Sequence, residues 1–225
     1  MNIFDYIALF LLASQYFVYQ LFYEYTSDRY FGKTRESIIS RYRERWLDYI
    51  LQSTQPLLGV QTIRNLTMVH TFLITLSMIM LGGIFSLFTA NLDWINDLAE
   101  KGYMDYLVRH PVAIKLLTAV AILLISLFHF VFGLRICFNM NFTVTGADKT
   151  LTPTMKKFIN SQVKRQARHF IIGVRGMYYT VFPFIWIIDA RAMIVSSLFT
   201  TWLFYRFDSS VPDMDESELN SRYFS

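Results

Sequence analysis

Two arginines stand where long apolar stretches of the chain begin or end, each near an amide side chain. Arg64 lies three residues after Gln61 and directly before Asn65, and Arg135 lies four residues before Asn139. Residues three or four apart share one face of a helix, so guanidinium and amide are expected to point the same way. Guanidinium groups form paired hydrogen bonds with phosphate, and amides add uncharged ones. The pattern predicts a site for an anion such as a lipid phosphate.

A third arginine, Arg175, precedes two tyrosines that would form an apolar wall. The predicted threading of the chain places all three arginines at one depth, with almost no carboxylates beside them. The alternative is that each arginine only reaches the lipid headgroups and marks the end of a helix. The predicted anion or lipid site comprises Gln61, Arg64, Asn65, Arg135, Asn139, Arg175, Tyr178 and Tyr179.

Two further charges, Asp189 and Arg191, lie near the middle of an apolar stretch. Insertion of a charge at such a depth costs roughly 2.5 to 3.5 kcal/mol, so both are expected to be buried against protein. The helix is broken there with the help of Pro183, or each charge has a partner on another helix or subunit, or two short segments enter and return. We favour an interrupted single span, because the acidic tail suits the outside of the cell.

Two histidines, His70 and His129, fall inside apolar stretches. A pair of histidines on neighbouring membrane helices can ligate a haem axially. A hydrogen-bonded packing role is the more common one for a histidine on an apolar helix. His110 and His169 are expected in loops or at the surface, and no cluster has the spacing of a zinc site. We predict no cofactor.

Four apolar stretches position these residues, at about residues 3–25, 66–90, 112–138 and 177–205. Each exceeds the roughly 20 helical residues that cross a hydrocarbon core. Hydrophobic residues make up 54% of the chain, above the usual share in soluble domains. Because backbone groups in lipid must be satisfied within the segment, the sequence predicts an all-α polytopic membrane protein with four transmembrane helices. We expect one membrane domain over residues 1–225.

Two segments between the apolar stretches repeat apolar residues at helical spacing, about residues 34–53 and 154–174. Pro153 is well placed to begin the second. We predict two amphipathic helices on the cytoplasmic membrane surface, where basic side chains meet anionic headgroups. The alternative is a pair of helices that pack their apolar faces on a protein core.

Lysine and arginine concentrate in residues 26–65 and 139–176, whereas the tail over residues 206–225 is acidic overall. Basic loops stay in the cytoplasm. This predicts an integral protein of the bacterial inner (plasma) membrane, with both termini outside.

Small residues form two stripes that would let helices approach closely. One is Gly82, Ser86 and Ala90, and the other is Ala119, Ser126 and Gly133. Four spans leave some polar stripes without a partner, so we expect a homo-oligomer or a partner in a membrane complex.

Several strings of the sequence resemble the signature stretches of the domain-of-unknown-function 599 family, multi-pass membrane proteins of bacteria and plants. They are VQTIRN (60–65), FHFVFGLRICFN (128–139), GVRGMYYTVFPFIW (173–186) and LFYRFD (203–208), with RERW (43–46) upstream. The resemblance implies about four spans and no established activity. This chain departs from the family in having Asp189, Ala190 and Arg191 where relatives have an uncharged break.

Two classes of function follow from these observations. The first is a non-enzymatic membrane protein that binds an anionic phospholipid or an ion at the arginine cluster, as an oligomeric channel or an accessory subunit. The second is a membrane redox or enzyme subunit that uses the intramembrane histidines or Asp189. The aromatic residues of the basic segments are explained by the membrane, so no nucleic acid is expected.

Overall fold

The computed structural model describes residues 3–29, 35–52, 56–89, 111–146 and 152–209. All the regular elements in this part of the chain are helices, numbered here in chain order. They are α1 (Ile3–Arg29), α2 (Arg35–Gln52), α3 (Pro56–Thr89), α4 (Pro111–Thr145), α5 (Pro153–Tyr179), α6 (Phe182–Ile188) and α7 (Ala190–Ser209).

In the described part of the chain, three helical segments are long and apolar enough to cross a membrane: Leu57–Thr89, Pro111–Thr145 and Pro153–Ile188. Helix α1 adds the shorter apolar helix Ile3–Val18. The prediction of an all-helical fold with helices able to span a membrane is confirmed, whereas the number of four such helices is wrong. The fourth apolar stretch is divided among α5, α6 and α7, so its residues do not form one span.

The third span begins where a surface helix was expected. Thr152 caps α5 by accepting a hydrogen bond from the backbone N–H of Met155 (3.3 Å), and Pro153 takes the first helical position as predicted. The helix then continues without interruption to Tyr179. The segment 154–174 is therefore the first part of a longer helix. Its buried residues Ile159 and Val163 pack on protein, as in the alternative of a helix whose apolar face meets a protein core.

The chain reverses direction at Asp189. Upstream, Pro183 has no N–H to donate to the preceding turn, and α5 gives way to α6 at residues 180–181. Asp189 is extended (φ −152°, ψ 128°), and its backbone N–H still donates to the carbonyl of Ile185. Its carboxylate accepts from the backbone N–H of Arg191 (3.0 Å), so one residue ends α6 and caps α7.

The segments α5–α6 and α7 form an antiparallel hairpin. Tyr179 and Thr201 share a hydrogen bond of 2.9 Å, and farther from the turn Arg175 donates to Asp208 (2.6 Å). The predicted break near Asp189 is confirmed, but the favoured interrupted single span is wrong. The structure shows the third alternative, two segments that enter and return. The extended backbone of Asp189 directs α7 back alongside α5.

Helix α2 is confirmed as a helix, and its apolar face packs on protein. Leu47 and Ile50 are buried in a core with Ile63 of α3 and Val163 of α5. Its apolar side chains are used within the bundle, which matches the alternative of a helix packed on a protein core.

The helical bundle therefore has two distinct ends. At the turn end lie the start of α1, the start of α4 and the junction of α6 with α7. At the basic end lie α2, the start of α3, the end of α4 and the start of α5.

The two stripes of small residues have different surroundings. Ala119, Ser126 and Gly133 are buried inside the bundle. Gly82 and Ser86 are exposed, and a Cβ at Gly82 would meet nothing within 4 Å. Ala90, the third member of that stripe, lies outside the described residues, as do positions 210–225 of the acidic tail.

Candidate functional site

A polar cavity of about 340 Å³ opens at the turn end, and we call it the turn pocket. Its wall comes from the first turn of α1, the second turn of α4 and the junction of α6 with α7. The lining residues are Phe4, Asp5, Lys115, Trp186, Ile188, Asp189, Ala190 and Arg191. A cavity that collects four charged side chains beside apolar helices is a candidate site for a polar ligand.

The floor of the turn pocket is a buried network that joins three helices. Lys115 lies 3.3 Å from the Asp5 carboxylate and donates to the backbone carbonyl of Trp186 (2.8 Å). The Trp186 indole N–H donates to the same Asp5 oxygen (2.8 Å). Both charged residues are only 9% exposed. Opposite charges with these hydrogen bonds offset the cost of burial, so the network fixes the positions of α1, α4 and α6.

The rim of the turn pocket carries the charges of the turn itself. Asp189 and Arg191 are both exposed, and Ile188 beside them is 87% exposed. The Arg191 guanidinium lies over the Phe4 ring at 4.7 Å, within the range of a cation–π contact. The prediction that the two charges are buried against protein is wrong, because they lie at the tip of a hairpin and not midway along a span.

An apolar groove of about 360 Å³ runs along the seam between α1 and α4, directly beside the turn pocket. On α1 the groove residue Leu9 lies one helical turn after Asp5 of the pocket, and on α4 the groove residue Ile114 is adjacent to Lys115 of the pocket. We call this the α1–α4 groove. Its walls are mainly aliphatic, and the small residues Ala13 and Ala121 leave it open.

Arg175 is paired with a carboxylate of the protein itself. Arg175 is buried and donates to the carboxylate of Asp208 on α7. Its neighbour Gly176 packs against Ser126 of α4, which fixes the level of Arg175 in the bundle. The predicted shortage of acids around this arginine is therefore wrong, since the hairpin returns a carboxylate to it.

Arg64 and Arg135 lie nearer the basic end and are exposed. His70 packs against Gly133, two residues from Arg135, and Arg64 lies six residues before His70, about 9 Å along α3. Ser126, which contacts Gly176 beside Arg175, lies seven residues before Gly133 on α4, about 10 Å along the helix. Measured along the bundle axis, Arg64 and Arg175 are therefore about 19 Å apart, and Arg135 lies between them. They do not share one depth, and the exposure of two of them matches the alternative that they mark helix ends.

The other predicted site residues lie on three different helices. Gln61, Asn65 and Asn139 are exposed side chains of α3 and α4. Tyr178 packs its ring on Phe204, and the buried Tyr179 bonds to Thr201, so both tyrosines serve the hairpin.

The histidines meet in the middle of the bundle. His129 and His169 share a hydrogen bond between their Nδ1 atoms (2.9 Å), so the expectation that His169 lies in a loop or at the surface is wrong. His70 is buried and donates from Nδ1 to the carbonyl of Leu66 (2.8 Å). Its ring packs against Gly133 and the Phe170 ring. That packing leaves no room for a porphyrin on this histidine.

Metal ligation is likewise not supported by the geometry of these side chains. Two nitrogens on one tetrahedral metal ion stand about 3.3 Å apart, farther than the shared hydrogen bond of His129 and His169. Within residues 3–29, 35–52, 56–89, 111–146 and 152–209, no group of three or more His, Cys, Asp or Glu could hold a metal ion.

Sequence reasoning missed Asp5 and Lys115 as site residues. Each is a charge within the first five residues of an apolar helix, and both helices begin on the same side of the predicted membrane. Opposite charges at one depth were the signal that could have paired them.

Comparisons with known proteins add the family and no activity. No match was found among curated proteins or among solved structures. The family described as "Protein of unknown function, DUF599" matches residues 7–212, which cover most of the helices described above. The chain therefore belongs to the DUF599 family, as the strings of its sequence indicated.

Proposed function

We propose that this integral membrane protein binds a phospholipid, with the headgroup in the turn pocket and an acyl chain along the α1–α4 groove. This proposal keeps lipid binding from the sequence analysis and moves the site from the dispersed arginines to the turn end. The observation that carries it is the position of a charged cavity directly beside an apolar groove. Phospholipids have the same succession of polar and apolar parts.

Arg191 is the residue best placed to hold the phosphate. It is exposed at the pocket rim, and its guanidinium carbon lies 4.7 Å from the centre of the Phe4 ring. A planar guanidinium matches the oxygens of a phosphate in a paired arrangement. Lys115 lies at the floor of the pocket, where Asp5 and the backbone carbonyl of Trp186 hold it in place. Arg191 is therefore the cation that a phosphate meets at the rim.

The α1–α4 groove supplies the apolar half of the site. From Leu9 to Phe17 it extends for about 12 Å along α1, enough for part of an acyl chain. Ala13 and Ala121 face it with little side chain, so the chain can approach the helix backbones. Dispersion contacts with the groove would retain this acyl chain longer than the chains of lipids elsewhere in the bilayer.

The distribution of charge supports one orientation of the protein in the membrane. Exposed lysines and arginines concentrate at the basic end, including Lys156, Lys164 and Arg165. Under the positive-inside rule that end faces the cytoplasm, and the turn pocket then takes lipid from the outer leaflet. Helix α7 returns toward the basic end, so the proposed topology places its last residues on the side opposite the start of α1. This replaces the expectation of two termini outside.

The test compares two arginines of α7 that each lie over an aromatic ring. The guanidinium carbon of Arg191 is 4.7 Å from the centre of the Phe4 ring at the turn pocket, and that of Arg206 is 5.6 Å from the Trp202 ring at the other end of the helix. Both are exposed. The protein is purified in mild detergent from a mixed-lipid membrane, and native mass spectrometry counts the phospholipids retained. Arg191→Gln is expected to lower retention severalfold, and Arg206→Gln to leave it unchanged.

A second variant tests the groove separately. Ala121→Trp fills the apolar lining and is expected to lower retention as well, whereas Ala192→Trp, on the exposed face of α7, is not. Equal losses for both members of either pair would mean general surface attraction, and the proposal would be rejected. A wild-type protein that retains no phospholipid would also reject it.

A further inference from the structure

The charges of the turn pocket are balanced. Two carboxylates, Asp5 and Asp189, face two cations, Lys115 and Arg191. The buried pair is internally satisfied, because Asp5 and Lys115 bind each other and the two polar groups of Trp186. A ligand that enters the pocket therefore meets Asp189 and Arg191, one charge of each sign.

The side chains of Asp189 and Arg191 point to different partners. Asp189 uses one carboxylate oxygen to cap α7 at the backbone N–H of Arg191. The Arg191 side chain lies instead over the Phe4 ring at 4.7 Å. Positions two residues apart diverge even where the backbone turns into a helix. The rim thus presents an anion and a cation side by side, with both side chains exposed.

We infer that the turn pocket selects a phospholipid whose headgroup carries a primary ammonium group beside its phosphate, as a phosphoethanolamine lipid does. The inference rests on the proposed function and adds the headgroup class. Arg191 takes the phosphate, and the remaining oxygen of Asp189 accepts a hydrogen bond from the ammonium group. Charge-assisted hydrogen bonds of this kind are the stronger ones.

Two other common headgroups fit this rim less well. A phosphoglycerol headgroup brings its negative charge next to Asp189 and offers no cation to it. A phosphocholine headgroup carries the positive charge but has no N–H group to donate to a carboxylate. Specificity then arises because either headgroup leaves the Asp189 carboxylate without a hydrogen-bond donor, whereas the ethanolamine headgroup supplies one.

The experiment offers the three lipids in competition. The purified protein is reconstituted in vesicles of equal parts phosphatidylethanolamine, phosphatidylcholine and phosphatidylglycerol, re-extracted in mild detergent, and its bound lipids are counted by native mass spectrometry. We expect the ethanolamine lipid to be enriched about fivefold over each of the others, a ratio equivalent to ~1 kcal/mol. Singly and doubly N-methylated ethanolamine lipids should show a stepwise loss as N–H donors are removed.

The variant Asp189→Asn removes the rim carboxylate charge while keeping a side chain that caps helices well. It is expected to abolish the preference and to keep the total number of bound lipids, since Arg191 still holds the phosphate. Asp48→Asn is the matched control, an exposed carboxylate paired with Lys156 at the basic end, and should keep the preference.

The outcomes separate the two proposals. Wild-type protein that retains lipid in an Arg191-dependent way without favouring the ethanolamine headgroup overturns this inference and leaves the proposed function standing. A preference that survives in Asp189→Asn overturns it too. Lipid retention that is insensitive to Arg191→Gln overturns both.

Discussion

The two ends of the bundle use the same kind of ion pair in opposite surroundings. At the turn end, Lys115 and Asp5 lie 3.3 Å apart with side chains 11% and 12% exposed. At the basic end, Lys156 and Asp48 lie closer, 2.8 Å, but are 48% and 41% exposed. The longer contact is the more consequential one, because burial removes the water that would otherwise replace a lost partner. Distance alone therefore does not rank these contacts.

The two kinds of ion pair also differ in what they connect. The buried pair and Trp186 connect α1, α4 and α6, elements that lie far apart in the sequence. The exposed pairs of Asp48 and Glu44 connect α2 to the start of α5, over an apolar core that already holds them together. The turn end adds a buried polar network to its apolar cores, whereas the ion pairs of the basic end lie on the surface of an apolar core.

The largest effect is expected when the buried pair is broken. Lys115→Met breaks the buried pair by removing the lysine from the Asp5 carboxylate, a change that typically costs ~3–5 kcal/mol. The matched change Lys156→Met removes the cation of an exposed pair and should cost ~0.2–1 kcal/mol. Thermal unfolding of both variants in the same lipid nanodiscs gives the comparison. Similar small losses would show that the turn end is solvated and that the contrast between the ends is unfounded.

An intermediate effect is expected at the packed seam of α4 and α5. A Cβ at Gly173 would lie 2.5 Å from a ring carbon of Phe130, so Gly173→Ala forces the ring or the helices to move. Overpacking of this kind costs ~1–3 kcal/mol. Gly82→Ala, where a Cβ meets nothing within 4 Å, should be neutral or slightly stabilising. Equal thermal stability of the two variants would contradict the described packing.

The smallest effect belongs to the exposed pair of Glu44 with Lys164. Burial acts to raise the pKa of the Glu44 carboxyl, but hydrogen bonds from Lys164 and Asn160 outweigh it and lower this pKa below its usual value. A carboxyl with a lowered folded-state pKa stabilises the fold above its unfolded pKa, and this contribution is lost as pH falls through the folded value.

Glu44→Gln should therefore lower stability at neutral pH by no more than ~1 kcal/mol, because the pair is partly solvated. The difference from wild type should vanish on acidification below about pH 4. Unfolding midpoints measured across this pH range test the sign. A difference that grows on acidification would contradict the assignment.

Much of the helix content could be predicted from the sequence, because apolar runs and Pro153 mark helices locally. The break at Asp189 was also predictable from its charge. The reversal of α7 was not, since hydropathy is the same whichever way a helix runs. That direction depends on long-range contacts such as Arg175 with Asp208, which no local pattern contains.

The candidate site was predicted less well than the fold. The arginine cluster assumed one depth for Arg64, Arg135 and Arg175, and the length of continuous α5 places them at different levels. The turn pocket depends on Asp5 and Lys115, whose pairing requires knowing that α1 and α4 begin at the same end. The sequence therefore suggested the ligand class that we propose, whereas the structure suggests a different place for it.

The hairpin at Asp189 is the central claim, because the turn pocket exists only if α7 returns toward the basic end. Single cysteines at Ile3, Ser161 and Ser209 report three levels of the bundle, and native Cys137 is fully buried. In oriented membrane vesicles, a membrane-impermeant maleimide should label Ile3→Cys from one side and both Ser161→Cys and Ser209→Cys from the other. Labelling of Ser209→Cys from the same side as Ile3→Cys would contradict the hairpin and restore a single interrupted span.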